Sequence, residues 1–236
     1  MGATKTALLI LSGLLPLFGL FSRPPDPQLC IYMAFAAVLL FRRRLEAWID
    51  RLPGSAVLHL VGTFLLSGSL TETLAWMNNY SKASPQPALL HPQLIPDLIL
   101  GLGFYGGWAL AWLIAFRWFR FTLLEVFLAT GLLGIGFEQL GAVFLVMART
   151  FMGNPLQSLI IGAYVFVVYG SAAGLALAPL VKRFDSPQKS RSWARFPVVI
   201  ALMLTLAVAG TFSVNLCALA MGGLPPKRSI VAHPFW

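Results

Sequence analysis

Charge is what this chain has least of. Only 11% of its 236 residues are charged, where an ordinary globular domain carries about 25%. There are eight acidic side chains, three histidines and two cysteines. Two cysteines, Cys30 and Cys217, are too few for a secreted disulfide scaffold or an iron–sulfur cluster. Of the histidines only His59 falls inside a long apolar run, while His91 and His233 fall outside one, which excludes a bis-histidine haem and leaves zinc without ligands. A nucleotide-binding loop, a nucleophile elbow and an aspartate-rich prenyl-pyrophosphate motif are all missing. No metal or redox cofactor of its own is expected, and no motif speaks for an enzyme.

What is abundant is apolar surface. Hydrophobic residues make up 58% of the chain and the mean hydropathy is +0.80, whereas soluble domains run at about 45–50% apolar. A lipid bilayer is the solvent that hides such a surface. The chain therefore reads as an all-α, polytopic membrane protein, a single transmembrane helical bundle over residues 1–236. Crossing a hydrocarbon core of about 30 Å takes about 20 mainly apolar residues. Seven segments qualify: 6–22, 27–44, 54–77, 96–116, 121–148, 155–181 and 196–222. Charge or proline marks their ends at Arg23-Pro24-Pro25, Arg51-Leu52-Pro53, Arg117 to Arg120, Asn154-Pro155 and Asp185 to Pro187. The second is short and reaches membrane length only if Arg42, Arg43 and Arg44 snorkel to the headgroups.

Basic residues in short loops stay on the cytoplasmic side. Of the 17 present, 12 fall on one side (Lys5 and the loops 2–3, 4–5 and 6–7) and 5 on the other (Arg23, Lys82, Arg149, Lys227 and Arg228). The N-terminus is thus expected inside and the C-terminus outside. The net charge of +9 then serves topology and meets anionic lipid; scattered over loops, it forms no groove for nucleic acid. The expected setting is a bacterial-type plasma membrane or an internal membrane derived from it.

Residues 1–22 resemble a signal peptide, but a cleavage site is poorly formed at Leu20-Phe21-Ser22, and an uncleaved first span is expected. A myristoylation pattern at Met1 to Thr6 and a glycosylation sequon at Asn79-Tyr80-Ser81 read as chance matches of short patterns. Leu11 to Leu15, Leu66 to Leu70 and Ala129 to Leu133 share a small-residue pattern, each followed by a span ending in an arginine patch. This suggests three tandem helical hairpins plus one helix, against the plain alternative that Gly and Leu dominate every transmembrane helix. Gly103 and Gly107, Gly170 and Gly174, and the glycines of span 5 predict tight packing of spans 4, 5 and 6. Trp76, Trp118 and Trp193 stand at span ends as an interfacial belt requires; Trp108 and Trp112, with Phe104 and Tyr105, form a stripe for helix packing, lipid or a pigment.

Asp26, Glu46, Asp50 and Asp185 belong to loops or interfaces. Glu72, Asp97, Glu125 and Glu138 do not, and a carboxylate in hydrocarbon costs about 2.5–3.5 kcal/mol, so it faces the bundle or a wet cavity. At 1.5 Å per residue Glu72 and Glu138 stand about 26–27 Å from the inner starts of their spans. Asp97, Gln139, Asn215 late in span 7 and Tyr164 reach the same outer layer. Glu72, Asp97, Glu138, Gln139 and Asn215 are therefore the candidate ion- or ligand-binding residues. On the inner side His59 and Glu125 share a depth that permits a hydrogen bond. Three function classes follow: binding or conduction of a small cation, proton or polar ligand; a non-catalytic accessory subunit of a larger membrane complex, contacting lipid or pigment; and an enzyme acting on a lipid or isoprenoid through Glu72 and Glu138.

Overall fold

The computed structural model describes Phe21, residues 23–186 and residues 188–236; the expected first span lies, except for Phe21, outside the described residues. Among these residues all regular structure is helical and there is no strand. A short 3-10 turn, Pro27–Leu29, leads into α1 (Cys30–Leu40) and α2 (Arg42–Ile49). Then follow α3 (Ala56–Ser81), α4 (Leu94–Trp118), α5 (Leu123–Phe137), α6 (Ala142–Phe151), α7 (Pro155–Leu177) and α8 (Arg195–Ala220).

Three of the helices, α3, α5 and α7, start where a side chain takes an orphan amide. Ser55 Oγ accepts from Leu58 N–H before α3, and Thr122 with Glu125 forms a reciprocal capping box before α5. Asn154 caps α7, with Pro155 at its first position. Five helical runs are long and apolar enough to cross a membrane: α3, α4, the α5–α6 run over Leu123–Phe151, α7 and α8.

The second expected span, 27–44, is not of that length. Its apolar stretch Pro27–Leu40 covers about 21 Å at 1.5 Å per residue. Phe41 leaves helical geometry (φ −96°, ψ 11°), and Arg42 opens a separate polar helix in which it pairs with Glu46 at 2.8 Å. The arginines are held by a helix of their own and do not lengthen the first.

Glycines decide which helices meet. A Cβ on Gly103 would stand 2.3 Å from Gly210 O, and one on Gly107 2.1 Å from Leu206 O, so α4 and α8 touch backbone to backbone. On α5, Gly131 and Gly134 receive Phe166 and Tyr169 of α7. The expectation of tight packing holds for spans 5 and 6, where Gly131 and Gly134 of α5 face α7 and Gly170 of α7 faces Phe127 O of α5, and is corrected for span 4, whose glycines face α8. A row of small residues announces a close approach and leaves the partner open. Trp108, Trp112 and Phe116 put α4 at the centre of the core.

The two ends of the bundle differ. At one end the loops rich in Arg and Lys meet in ion pairs: Lys182 with Glu46 at 3.4 Å, Arg120 with Asp185 at 2.6 Å, Arg195 with Glu125 at 2.8 Å, and Arg183 with Asp50. At the other end the C-terminal tail folds back over the start of α4. Leu94 and Ile95 donate their amides to the carbonyls of Pro234 and Phe235, and Gln93 Nε2 donates to those of Arg228 (3.1 Å) and His233 (2.9 Å). Phe235 stacks on Trp76, which is thereby only 7% exposed, while Trp118 and Trp193 are 56% and 84% exposed. Trp76 thus belongs to the tail's seat, and the belt expectation fails for it.

Candidate functional site

A cleft opens in the arginine-poor half, where α3, α4 and α7 surround the end of α5. α3 brings Glu72 opposite Tyr105 of α4, whose hydroxyl donates to Glu72 Oε1 at 2.9 Å. Asp97, in the first turn of α4 and wholly buried, accepts the His91 amide at 2.8 Å, and its carboxyl lies against that of Glu72. Across the cleft Tyr169 of α7 donates to the Glu138 carboxyl. Glu72 and Glu138 thus stand on opposite walls of a cavity of about 570 Å³, each held by a tyrosine, with Phe104 and Trp108 adding aromatic faces. No basic side chain lines this cavity.

Glu138 owes its place to a break in the helix. The expected single span 121–148 is two helices, because Gln139 (φ 50°) and Leu140 (φ 57°) adopt the left-handed conformation and Gly141 (φ 87°) follows. For a side chain with a Cβ that conformation costs about 1–2 kcal/mol per residue. Non-helical backbone at membrane depth is tolerated where it lines a cavity or lies within protein. Glu138 and Gln139 line both this cavity and a second one of about 430 Å³ between α3, α6 and α7.

In that second cavity Tyr164 donates to Asp26 Oδ2 at 3.0 Å and Lys82 Nζ stands 3.3 Å from the same oxygen. Gln28 Oε1 accepts from Asn78 Nδ2 at 3.5 Å. Asp26, expected in a loop or interface, does lie before the first helix, yet it is buried at 8% exposure and points into the bundle.

Several expected partners do not meet. Asn215 sits on α8, which packs against α4, and lines neither cavity. His59 and Glu125 are not a pair: His59 Nδ1 faces Arg183 at 3.1 Å and its Nε2 faces Pro53 O at 3.3 Å, while Glu125 closes its own capping box and accepts from Arg195. Among the described residues no group of three or more His, Cys, Asp or Glu gathers closely enough to hold a metal ion, so Glu138 stands apart from the Glu72–Asp97 pair. Trp108 lines the first cavity, whereas Trp112 is core packing against Phe116 and Phe121. The sequon residue Asn79 is engaged within the chain, donating to Ala75 O and accepting from Ala88 N–H.

Sequence reasoning missed the two tyrosine–carboxyl pairs, Asp26 and the seat of the tail. For Tyr105 a signal existed in the aromatic stripe of span 4; for Tyr169 and Asp26 there was none. His91 is buried beneath the tail, and burial pushes its imidazole below the ordinary range. Its Nδ1 accepts the Gln93 amide at 3.2 Å, so the proton is on Nε2, which donates to Pro225 O at 3.1 Å.

Compared with protein-family models, curated proteins and solved structures, the chain matches none.

Proposed function

We propose that this is a seven-span membrane protein, N-terminus inside and C-terminus outside, whose outer-half cleft binds a small cation or exchanges protons through Glu72, Asp97 and Glu138. Segment 6–22 would be its first span and α1 a half-length second, descending from Asp26 at the cleft to Arg42 at the arginine-rich end. The split of 12 basic residues against 5 supports the orientation. The second cavity and the exposed apolar faces of α6 and α8 are where lipid, pigment or other membrane subunits would lie.

One observation carries the binding reading: carboxyls on two walls and aromatic faces between them, with no basic side chain to neutralise them. A tyrosine hydroxyl orients a carboxyl without cancelling its charge. Aromatic faces attract a cation further. Two carboxyls in contact, as Glu72 and Asp97 are, require a shared proton or a cation between them. Asp97 Oδ2, buried and without a hydrogen-bond partner among the described residues, leaves room for either.

The test is flux into proteoliposomes loaded with a pH indicator, driven by a sodium or potassium gradient. The wild type should pass protons or cations; Glu72→Gln and Glu138→Gln should each stop the flux while melting as the wild type does. Flux untouched by both substitutions, or absent from the wild type, overturns the reading. A second reading draws on the same walls: an acid beside aromatic faces suits protonation of an isoprenoid alkene and shelter of the resulting cation. It predicts a changed isoprenoid extract in cells carrying Glu72→Gln, with no flux in the wild type.

A further inference from the structure

The second cavity has a different chemistry from the first, and what it binds does not depend on what the first one holds. Its polar end carries charges of both signs. Asp26 supplies a carboxylate, and Lys82, whose side chain is 41% exposed, supplies an ammonium with donors to spare beyond its single contact at 3.3 Å. Beside them Asn78 is 8% exposed, and its Oδ1 is buried without a hydrogen-bond partner among the described residues. A buried carbonyl left unmatched keeps the full cost of its lost hydration. It asks for a donor, and it asks from a cavity that Asn78 itself lines.

The rest of the wall is aliphatic. Val143 on α6 and Ile160 and Ile161 on α7 line it, and Ile160 is half exposed on the outer face of the bundle. α6 packs on α7, where Ser158 Oγ donates to Met147 O at 2.9 Å, yet buries none of its own side chains, and the cavity reaches the outer face of the bundle at Ile160. A soluble ligand has no use for a greasy side entrance; an amphiphile does.

We infer that the second cavity is the headgroup site of a phospholipid bearing a primary ammonium, such as phosphatidylethanolamine. The ammonium would donate to Asn78 Oδ1 and Asp26, the phosphate would meet Lys82, and the acyl chains would leave over Val143, Ile160 and Ile161 to the outer face of the bundle. The N–H donors distinguish this lipid from phosphatidylcholine, which has the same charges and none of the donors.

The test uses the full chain in detergent, titrated with phosphatidylethanolamine, its N,N-dimethyl derivative, phosphatidylcholine and phosphatidylglycerol, with bound lipid counted by native mass spectrometry. Phosphatidylethanolamine should bind about tenfold tighter than phosphatidylcholine, the yield of one hydrogen bond to a charged group, with the dimethyl lipid between them. Asn78→Leu should lower that ratio several-fold, leaving what Asp26 contributes, and Asn78→Asp, which keeps an acceptor, should preserve it. Equal binding of the ethanolamine and choline lipids by the wild type overturns the inference. So does tighter binding of phosphatidylglycerol, which would mean that Lys82 alone holds a phosphate, and so does a groove that takes no lipid because something else fills it. The wild-type series needs no variant, so a misfolding Asn78→Leu leaves the question decided.

Discussion

The two ends of the bundle treat their carboxyl groups in opposite ways, with the exception of Asp26, which pairs with Lys82 beside the second cavity. At the arginine-rich end Glu46, Asp50, Glu125 and Asp185 each face a basic side chain. In the cleft half Glu72 and Glu138 face tyrosine hydroxyls, and Asp97 faces a backbone amide and Glu72. An ion pair is self-contained, because each charge already has its counter-charge, and its work is to tie loops together. A carboxyl held by a hydroxyl keeps a place for a counter-charge from outside. The difference separates the part of the molecule that holds the fold from the part that is free to do chemistry.

Arg195 offers the strongest way to break the structural side of that contrast. It is 8% exposed, donates to Glu125 Oε1 at 2.8 Å and to Arg120 O at 3.1 Å, and lies over the rings of Phe121 and Phe196. Removing one member of such a pair strands the other, so Arg195→Met should cost about 3 kcal/mol in detergent unfolding. Cleft function in the surviving folded fraction should be intact. If unfolding is unchanged, the arginine-rich end does not hold the bundle together.

The cleft side is sharpened by Glu138. Glutamine keeps its shape and its bond with Tyr169 but cannot titrate, whereas leucine strands the tyrosine hydroxyl at a cost of about 1–3 kcal/mol. We expect Glu138→Gln to melt like the wild type and lose flux, and Glu138→Leu to lose both. Full flux in the glutamine variant would make this carboxyl a structural one, like those at the opposite end.

A weaker effect concerns pH. Folding holds His91 neutral beneath the tail, so below the ordinary imidazole value of about 6.5 the unfolded chain takes up a proton that the folded one resists. The stabilisation is complete above that value and is lost as pH falls through the lower folded one. Hydrogen exchange of the amides in residues 224–236, corrected for its intrinsic pH dependence, should accelerate on acidification in the wild type and respond less in His91→Gln. An equal response in both would show that the tail is released by some other group. The smallest change is expected of Asp185→Asn: Arg120 holds this carboxyl below its usual range, but the pair lies at the surface, and melting should shift no further than the scatter of repeated measurements. A clear shift would mean that the surface pairs matter one by one.

Height along the bundle was legible in the sequence, and rotation about each helix was not. Counting residues places Glu72, Asp97 and Glu138 in one layer, and they do share the cleft half. The same count puts Asn215 in that layer, yet α8 meets the bundle along its Gly210 face, on α4, away from both cavities. His59 and Glu125 were matched by height in the same way and turn to different arginines. Helix starts were readable where a cap is written locally, as at Thr122 and Asn154. The break at Gln139 and Leu140 was not, since neither residue type favours the left-handed region and only Gly141 hints at it. Contacts such as Tyr164 with Asp26 and Gln93 with His233 join segments more than a hundred residues apart, and no local pattern encodes them.

The helix break has an electrical consequence. Where α5 stops, the carbonyls beyond Gly134 lose the next turn of α-helical amides, and Glu138 and Gln139 at the gap line both cavities. With a bilayer around the protein, water in those cavities carries bulk-like permittivity part of the way through one leaflet. A transmembrane voltage falls mainly across the insulating part of its path, which here is the packed half between the cleft and the arginine-rich end. A charge arriving at Glu72 from the cleft side would thus cross only a fraction of the field, while the step from there to the far side would bear most of it.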